Sequence, residues 1–362
     1  MGSVYGKTLK VSVFGQSHSK GIGVTIDGIP AGEKIDMLEL QDFMDRRAPG
    51  KAKFATQRKE ADAPEFLSGI VDDTTCGAPI SAVIFNTNAH SNDYKNIVDI
   101  PRPAHADFTA QVKYKGFQDV AGGGHFSGRL TAPLCIAGGI AKQILARKGI
   151  HIYAHISSIK GVEDDDFDKV NPDTSVLEKI ASKHFPVIND QKGEVMMQEI
   201  EKARLDANSV GGTVECVVTG LKAGLGEPMF DGLENRIAAA VFGVPAVKGL
   251  EFGNGFDSTL LYGNENNDEF YFEDECVKTK TNNHGGILGG ISSGMPLYFN
   301  VALKPTPSIA KEQNSISFSE KKDAKLIIKG RHDPCIVPRA VPVIEAVTAL
   351  AIYDSILENT NY

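Results

Sequence analysis

Four short segments carry side chains suited to proton transfer and anion binding. The first, Gly15 to Gly32, reads GQSHSKGIGVTIDGIPAG and sets Ser17 beside His18 among five glycines. Adjacent positions are a poor spacing for a Ser–His dyad, and no G-x-S-x-G is present, so a hydrolase is weakly supported. The second, Arg102-Pro-Ala-His-Ala-Asp107, places a histidine beside an arginine flanked by Pro101 and Pro103. A histidine titrates near neutrality, which suits it to acid–base work, although a lone histidine is also a common structural residue. The third, Gly122-Gly-Gly-His-Phe-Ser-Gly-Arg129, precedes an apolar helical stretch. Glycines before a helix leave backbone N–H groups open to an anion, and Arg129 adds charge. A tight loop with a capping serine is the plainer alternative. In the fourth, Gly330-Arg-His-Asp-Pro-Cys335, Asp333 is placed to accept a proton or to hold Arg331. Arg46 and Arg47 close a predicted helix ahead of Lys51, Lys53, Arg58 and Lys59. Such cations serve a helix dipole or grip phosphate and carboxylate.

The bulk properties restrict what these segments serve. The 362-residue chain carries a net charge of −8, which argues against nucleic-acid binding. An anionic substrate therefore needs arginines and lysines gathered against the field of the whole molecule. Neither G-x-x-x-x-G-K-[ST] nor G-x-G-x-x-G occurs. Five scattered cysteines without C-x-x-C point to a reducing, cytoplasmic setting rather than a disulfide or zinc framework. The opening MGSVYGKTLK has no long apolar core, and no apolar run reaches the ~20 residues of a membrane span, so neither a signal peptide nor a membrane association is expected.

The elements that must hold the segments are legible in outline. Leu9, Val11 and Val13 alternate with polar residues, and Val24 and Ile26 start a second strand, which predicts a hairpin across the Ser-His segment. Residues 80–86, 214–221 and 296–303 read as further strands. Asp36 and Glu39 have capping-box spacing before a helix to Arg47, and Asp231 and Glu234 repeat it before Leu233, Ile237 and Val241. Another helix spans Thr131 to Lys148, with Pro133 near its start and Gly149 past its end. A long final helix is predicted from about Pro342. Residues 161–202, with Glu163-Asp-Asp-Asp166, read as a solvated surface excursion with some helix. Length favours two domains, yet no linker marks a boundary.

Taken together, the segments resemble the chorismate synthase family over essentially the whole chain. The resemblance is carried by GQSHSKGIGVTIDGIPAG, Asp45-Arg-Arg-Ala-Pro-Gly50, Thr56-Gln-Arg58, Arg102 to Asp107 and Gly122 to Ala132. It continues through Ala246 to Phe256, Gly285 to Ser292, Lys304-Pro-Thr-Pro-Ser308, Arg331-His-Asp-Pro-Cys335 and Arg339-Ala-Val-Pro342. There are departures: His125-Phe126-Ser127 stands where Arg-Ser-Ser is common, Lys53 where arginine is common, and Pro307 where serine is common.

The resemblance implies an α+β fold, a single β-α-β sandwich domain spanning 1–362, and a homotetramer. It also implies the 1,4-elimination of phosphate from 5-enolpyruvylshikimate 3-phosphate, giving chorismate in aromatic amino acid biosynthesis. The family reaction needs reduced FMN without net redox change. By the same resemblance His18, His105 and Asp333 are the catalytic groups: His18 for the leaving phosphate, His105 for the flavin's protonation state, Asp333 for assistance at flavin N5 as the substrate hydrogen is lost. Ser17, Arg46, Arg47, Arg102, Arg129 and Arg331 are substrate contacts. Flavin contacts fall on His125, Phe126, Ser127, Ala246, Gly289, Lys304, Pro305, Thr306, Pro307, Ser308 and Arg331. Some members reduce FMN with NADPH. Without an appended domain or a dinucleotide fingerprint, this chain is expected to rely on an external flavin reductant. A non-catalytic anion-binding module and a flavin oxidoreductase are the alternatives.

Overall fold

The computed structural model describes residues 2–48, 62–86, 98–328, 333–359 and 362. Two five-stranded antiparallel sheets enclose helices between them. The first sheet runs in the order Val4–Tyr5, Lys10–Gly15, Gly21–Asp27, Ile80–Phe85, Glu65–Ser68. The hairpin expected across the Ser-His segment is present, with Lys10 opposite Asp27 and Gly15 opposite Ile22. The second sheet runs Val247–Phe252, Leu297–Leu303, Gly212–Thr219, His151–Ile159, Val162–Glu163.

Strand alternation sets the layers. Ile22, Val24 and Ile26 of one strand and Ile80, Ala82 and Ile84 of its neighbour are buried on the helix-facing side. Leu297, Phe299, Val301 and Leu303 do the same for the second sheet. The central helices Thr131–Arg147 and Val337–Glu358 pack on one another and contact both sheets. Their close approach requires Gly138, whose Cβ would sit 2.4 Å from Ala346 Cα.

Several details depart from expectation. Asp36 does cap Met37–Arg47, accepting from Leu38 and Glu39 N–H. Asp231 does not cap the next such helix. Leu233–Val241 starts after Gly232, the Leu233 N–H donates to Gly290 O, and Asp231 pairs with Lys7. The final helix begins five residues before Pro342, with Pro338 in its first turn and Pro342 inside. Pro342 removes one backbone bond near the start, where the burial of almost every following residue outweighs it. By length and composition this helix is also apolar enough to cross a membrane, contrary to expectation. Its apolar window is 89% buried within the protein.

The 161–202 excursion is not confined to the surface. Phe167, Leu177 and Ile180 cover the outer face of the second sheet at Tyr153, Val217 and Tyr298, while Met196 and Ile200 join the main core. Within its acidic run Asp164 is buried, because it pairs with His155 at 3.2 Å and accepts from the backbone of Ile188 and Asn189. A sheet face left open by one layer of helices recruited the segment's apolar stripe.

Candidate active site

The glycine segment is the meeting point. Gly122, Gly123 and Gly124 have φ of +67°, +122° and +54°, a path that L side chains resist. The Ser17 N–H donates to Gly124 O at 3.1 Å, which docks the hairpin loop on the glycines. The buried Ser17 hydroxyl lies 3.2 Å from Ala121 O, to which it donates, and 3.1 Å from His18 Nδ1. With its hydrogen on the carbonyl, Ser17 accepts from His18 Nδ1–H. Adjacent spacing thus does bring Ser17 and His18 together, but as a hydroxyl that orients the ring rather than an activated nucleophile. Nε2 is then the atom at which the ring gains and loses a proton.

His105 lies against the next glycine. A Cβ on Gly122 would lie 2.1 Å from His18 Cε1, and one on Gly123 would lie 3.3 Å from His105 Nε2. Two consecutive glycines therefore separate the two imidazoles. His105 Nδ1 lies 2.5 Å from Asp107 Oδ1, and Arg102 Nη2 lies 3.1 Å from the same nitrogen. Arginine only donates, so one hydrogen cannot satisfy both geometries. The shorter contact to an acceptor-only carboxylate places the proton on Nδ1. Burial by itself would raise the Asp107 carboxyl, but hydrogen bonds and charge from Arg102 and His105 outweigh it and hold it well below the usual range.

The arginines arrive with carboxylates of their own. Arg47 Nη1 pairs with Asp62 Oδ2 at 2.5 Å, and Arg129 pairs with the other oxygen of the same carboxylate. Burial would raise Asp62, yet the charges of Arg47 and Arg129 keep it lowered. Arg47 also donates to Thr131 Oγ1 and Gly128 O, each at 3.1 Å. Arg129 Nε reaches Asn86 Oδ1 at 3.4 Å, and Asn86 in turn donates to Ser19 O at 2.9 Å. Arg102 is bidentate to Asp107 and reaches Ser308 Oγ at 3.2 Å. Arg46 is drawn aside into a cluster with Glu345 and Lys142. Asp333 pairs with Arg339, whose Nε donates to Arg47 O at 3.0 Å. Arg331 lies outside the described residues.

Of the expected flavin contacts, the 304–308 segment is woven into this assembly. Lys304 Nζ donates to Ala104 O at 3.1 Å, Thr306 Oγ1 to Asp333 O at 2.7 Å, and the Lys304 N–H to Ala246 O at 3.0 Å. Burial and then the Lys248 ammonium lower Lys304. A second cation whose charge reaches Lys304 adds positive potential suited to a phosphate. Pro305 and Pro307 stiffen the same run. Three other candidates have local duties. His125 bridges Gly15 O and Ser3 Oγ, both at 2.7 Å, Phe126 tilts against Tyr114, and Ser127 caps the turn to Arg129. Gly289 lies in the hairpin 287–292, which packs on the start of Leu233–Val241.

Asp62, Asn86 and Asp107 received no role from sequence reasoning. Asp107 had a signal, an acid two residues beyond a histidine that follows a proline-braced arginine. For Asp62 and Asn86 no local pattern announces a partner tens of residues away.

The chain matches a family model described as chorismate synthase across residues 9–357. It is 46% identical to a chorismate synthase of Lancefieldella parvula, over 98% of this chain and 96% of that protein. It is 44% identical to one of Thermococcus gammatolerans, over 97% of each. A crystal structure of a chorismate synthase is similar with a TM-score of 0.78 at 27% identity, covering 98% of this chain and 94% of the other.

Proposed function

The chain belongs to the chorismate synthase family and is a lyase of aromatic amino acid biosynthesis, and from that premise we propose how its residues divide the work. The reaction eliminates phosphate from 5-enolpyruvylshikimate 3-phosphate to give chorismate. Neither a non-catalytic anion-binding module nor a flavin oxidoreductase finds support beside this family assignment. The observation that carries the reading is the approach of His18 and His105 to the adjacent glycines Gly122 and Gly123.

His18 gives its Nε2 proton to the departing phosphate, while Ser17 fixes the ring through Nδ1. Asp333, held by Arg339, accepts the hydrogen lost from the substrate as a proton. Arg129 orients the anionic substrate, while Arg47, whose three guanidinium nitrogens are taken by Asp62, Thr131 and Gly128, holds the shared carboxylate in a fixed position. Arg102 and Arg46 act through Asp107 and Glu345, and Arg331 is assigned by resemblance alone.

The cofactor is reduced FMN, supplied by an external reductant. When bound, it lends electron density to the allylic system as phosphate leaves and is returned reduced. Lys304, Lys248, Thr306, Ser308 and Ala246 would hold it, supported by the positive potential of the two lysines and the ties from 304–308 to the His105 and Asp333 loops. His105 sets its protonation through Nε2.

One domain spans 1–362, supported by a core cluster that runs through both sheets. A homotetramer is supported by exposed Phe256, Leu260, Tyr262, Phe270 and Phe272, apolar surface suited to copies of the same chain. The cytoplasmic assignment rests on five unpaired cysteines. Anaerobic incubation with the enolpyruvyl substrate and chemically reduced FMN tests the whole reading. Chorismate and phosphate should form in equal amounts, many turnovers per flavin. No product, or flavin oxidised in step with turnover, would overturn it.

A further inference from the structure

We propose that Asp107, together with Arg102, is a positioning clamp that fixes the tautomer of His105 without adding net charge beside it. This rests on the reading of His105 as a catalytic group.

The network around Asp107 is closed. Its Oδ2 accepts from the Arg102 backbone N–H at 2.9 Å and from Arg102 Nε at 2.7 Å. Its Oδ1 accepts from Arg102 Nη2 at 2.7 Å and from His105 Nδ1 at 2.5 Å. A carboxylate offers about four lone-pair positions, and all four are filled. The carboxylate therefore has one orientation, and the ring that donates to it has one tautomer, Nδ1–H. His105 Nε2 is left on the Gly123 side, where a Cβ would come within 3.3 Å of it.

Arg102 decides what kind of clamp this is. A carboxylate alone beside an imidazole adds a negative charge. Here the guanidinium is bidentate to that carboxylate and buried with it, so the pair is neutral as seen by the ring. Asp107 orients and Arg102 cancels. The third guanidinium nitrogen reaches Ser308 Oγ, which ties the clamp to the 304–308 segment. Arg102 is on this account a positioning residue, since three of its nitrogens already have protein partners.

His18 makes a useful contrast. Its Nδ1 faces a neutral hydroxyl that itself donates to a backbone carbonyl. His105 presents Nε2 to Gly123, whereas His18 presents Cε1 and Nδ1 to Gly122; one ring is locked by an ion pair and the other by a hydroxyl relay.

The test uses full-length Asp107→Asn, Asp107→Glu, His105→Ala and the double variant His105→Ala/Asp107→Asn. Two readouts are taken: anaerobic steady-state kinetics with reduced FMN, and imidazole ¹⁵N spectra of histidine-labelled, cofactor-free protein, with His105 assigned from His105→Ala. In the wild type the His105 signals should report Nδ1–H. Asn at 107 can donate as well as accept, so that tautomer should give way to a mixture, with kcat down about 10²-fold and KM within about twofold. Asp107→Glu should recover part of the rate and of the tautomer. The double variant should be no slower than His105→Ala alone. An Nε2–H tautomer in the wild type overturns the clamp whether or not any variant folds. So does Asp107→Asn with unchanged kcat while His105→Ala is impaired. A fully active His105→Ala removes instead the catalytic reading of His105 on which the clamp rests.

Discussion

Gly122→Ala isolates the geometry of the site from its chemistry, because it removes no titratable group. The added Cβ would stand 2.1 Å from His18 Cε1, 2.2 Å from Nδ1 and 2.9 Å from Ser17 Oγ. Carbon contacts settle near ~3.5–4.0 Å, so the ring must retreat by about 1.5 Å or the glycine loop must open. A displacement of about 1 Å at a reacting group costs on the order of 10²-fold in rate, so kcat should fall by about 10²–10³-fold. The backbone adds its own term. With φ at +67°, alanine costs roughly 1–2 kcal/mol, a shift of only a few degrees in the unfolding midpoint. The variant should therefore be folded and nearly inactive at saturating substrate. Gly128→Ala is the control. It lies in the same segment, nothing stands within 4 Å of its Cβ, and its rate should stay within about twofold of wild type. Anaerobic chorismate formation with reduced FMN, together with thermal unfolding, reads both effects. Wild-type kcat in Gly122→Ala would show that His18 is not held against this glycine in the working enzyme.

Glu345 is fully buried between Arg46 and Lys142, and Glu345→Gln would leave two cations facing a neutral amide. The cost should be about 3–5 kcal/mol, lowering the unfolding midpoint by roughly five degrees. Burial would raise this carboxyl, but its cations outweigh that and hold it at about 2. Its contribution is thus present above the ordinary carboxylate range and lost as pH falls toward about 2, so the variant should show a flatter acid limb in thermal scans. His155, buried between Asp164 and Glu215, is raised: burial lowers it, and hydrogen bonds and charge from the two acids outweigh that. Its contribution is complete below about 6.5 and lost as pH rises through the elevated value, so His155→Gln should lower stability near pH 6 and flatten the alkaline slope. Equal slopes in variant and wild type would remove the charged ring from the account. With oxidised FMN and NADPH alone, chorismate formation should be negligible, whereas chemically reduced FMN should support many turnovers. Robust turnover in the first mixture would overturn the dependence on an external reductant.

The fold was legible where one face of an element is buried and the other is wet. The hairpin around Ser17 and His18 follows from alternation at Leu9, Val11, Val24 and Ile26. The capped start at Asp36 follows from side-chain chemistry within four residues. Legibility failed where the deciding partner is distant. Asp231 looks like a cap, yet Gly290, far along the chain, supplies the acceptor. Asp164 looks like one more surface acid, yet a histidine on a neighbouring strand takes it inside. Pro342 looks like a helix start because proline is tolerated there, but burial of the preceding turn carries the helix further back.

The candidate site shows the same limit in its charges. Counting arginines in the sequence gives a cluster of free cations awaiting an anionic substrate. Among the described residues the fold instead assigns these arginines carboxylates: Asp62 to Arg47 and Arg129, Asp107 to Arg102, Glu345 to Arg46, Asp333 to Arg339. That assignment follows from the balance of −8, since buried guanidiniums need acids and acids are plentiful. It also changes what the arginines do. A guanidinium anchored through one or two nitrogens cannot swing toward solvent, so its remaining edge is held in place before the substrate arrives. Arg47 stands on the holding side, since all three of its guanidinium nitrogens have protein partners. It grips Thr131 and Gly128 at the start of a central helix as well as Asp62, so it fixes the glycine segment and Asp62 relative to one another. Specificity for a multiply charged anion then comes from fixed geometry more than from net positive potential. Affinity in such a site should respond less steeply to salt than the number of arginines implies, because much of each charge is already neutralised within the protein.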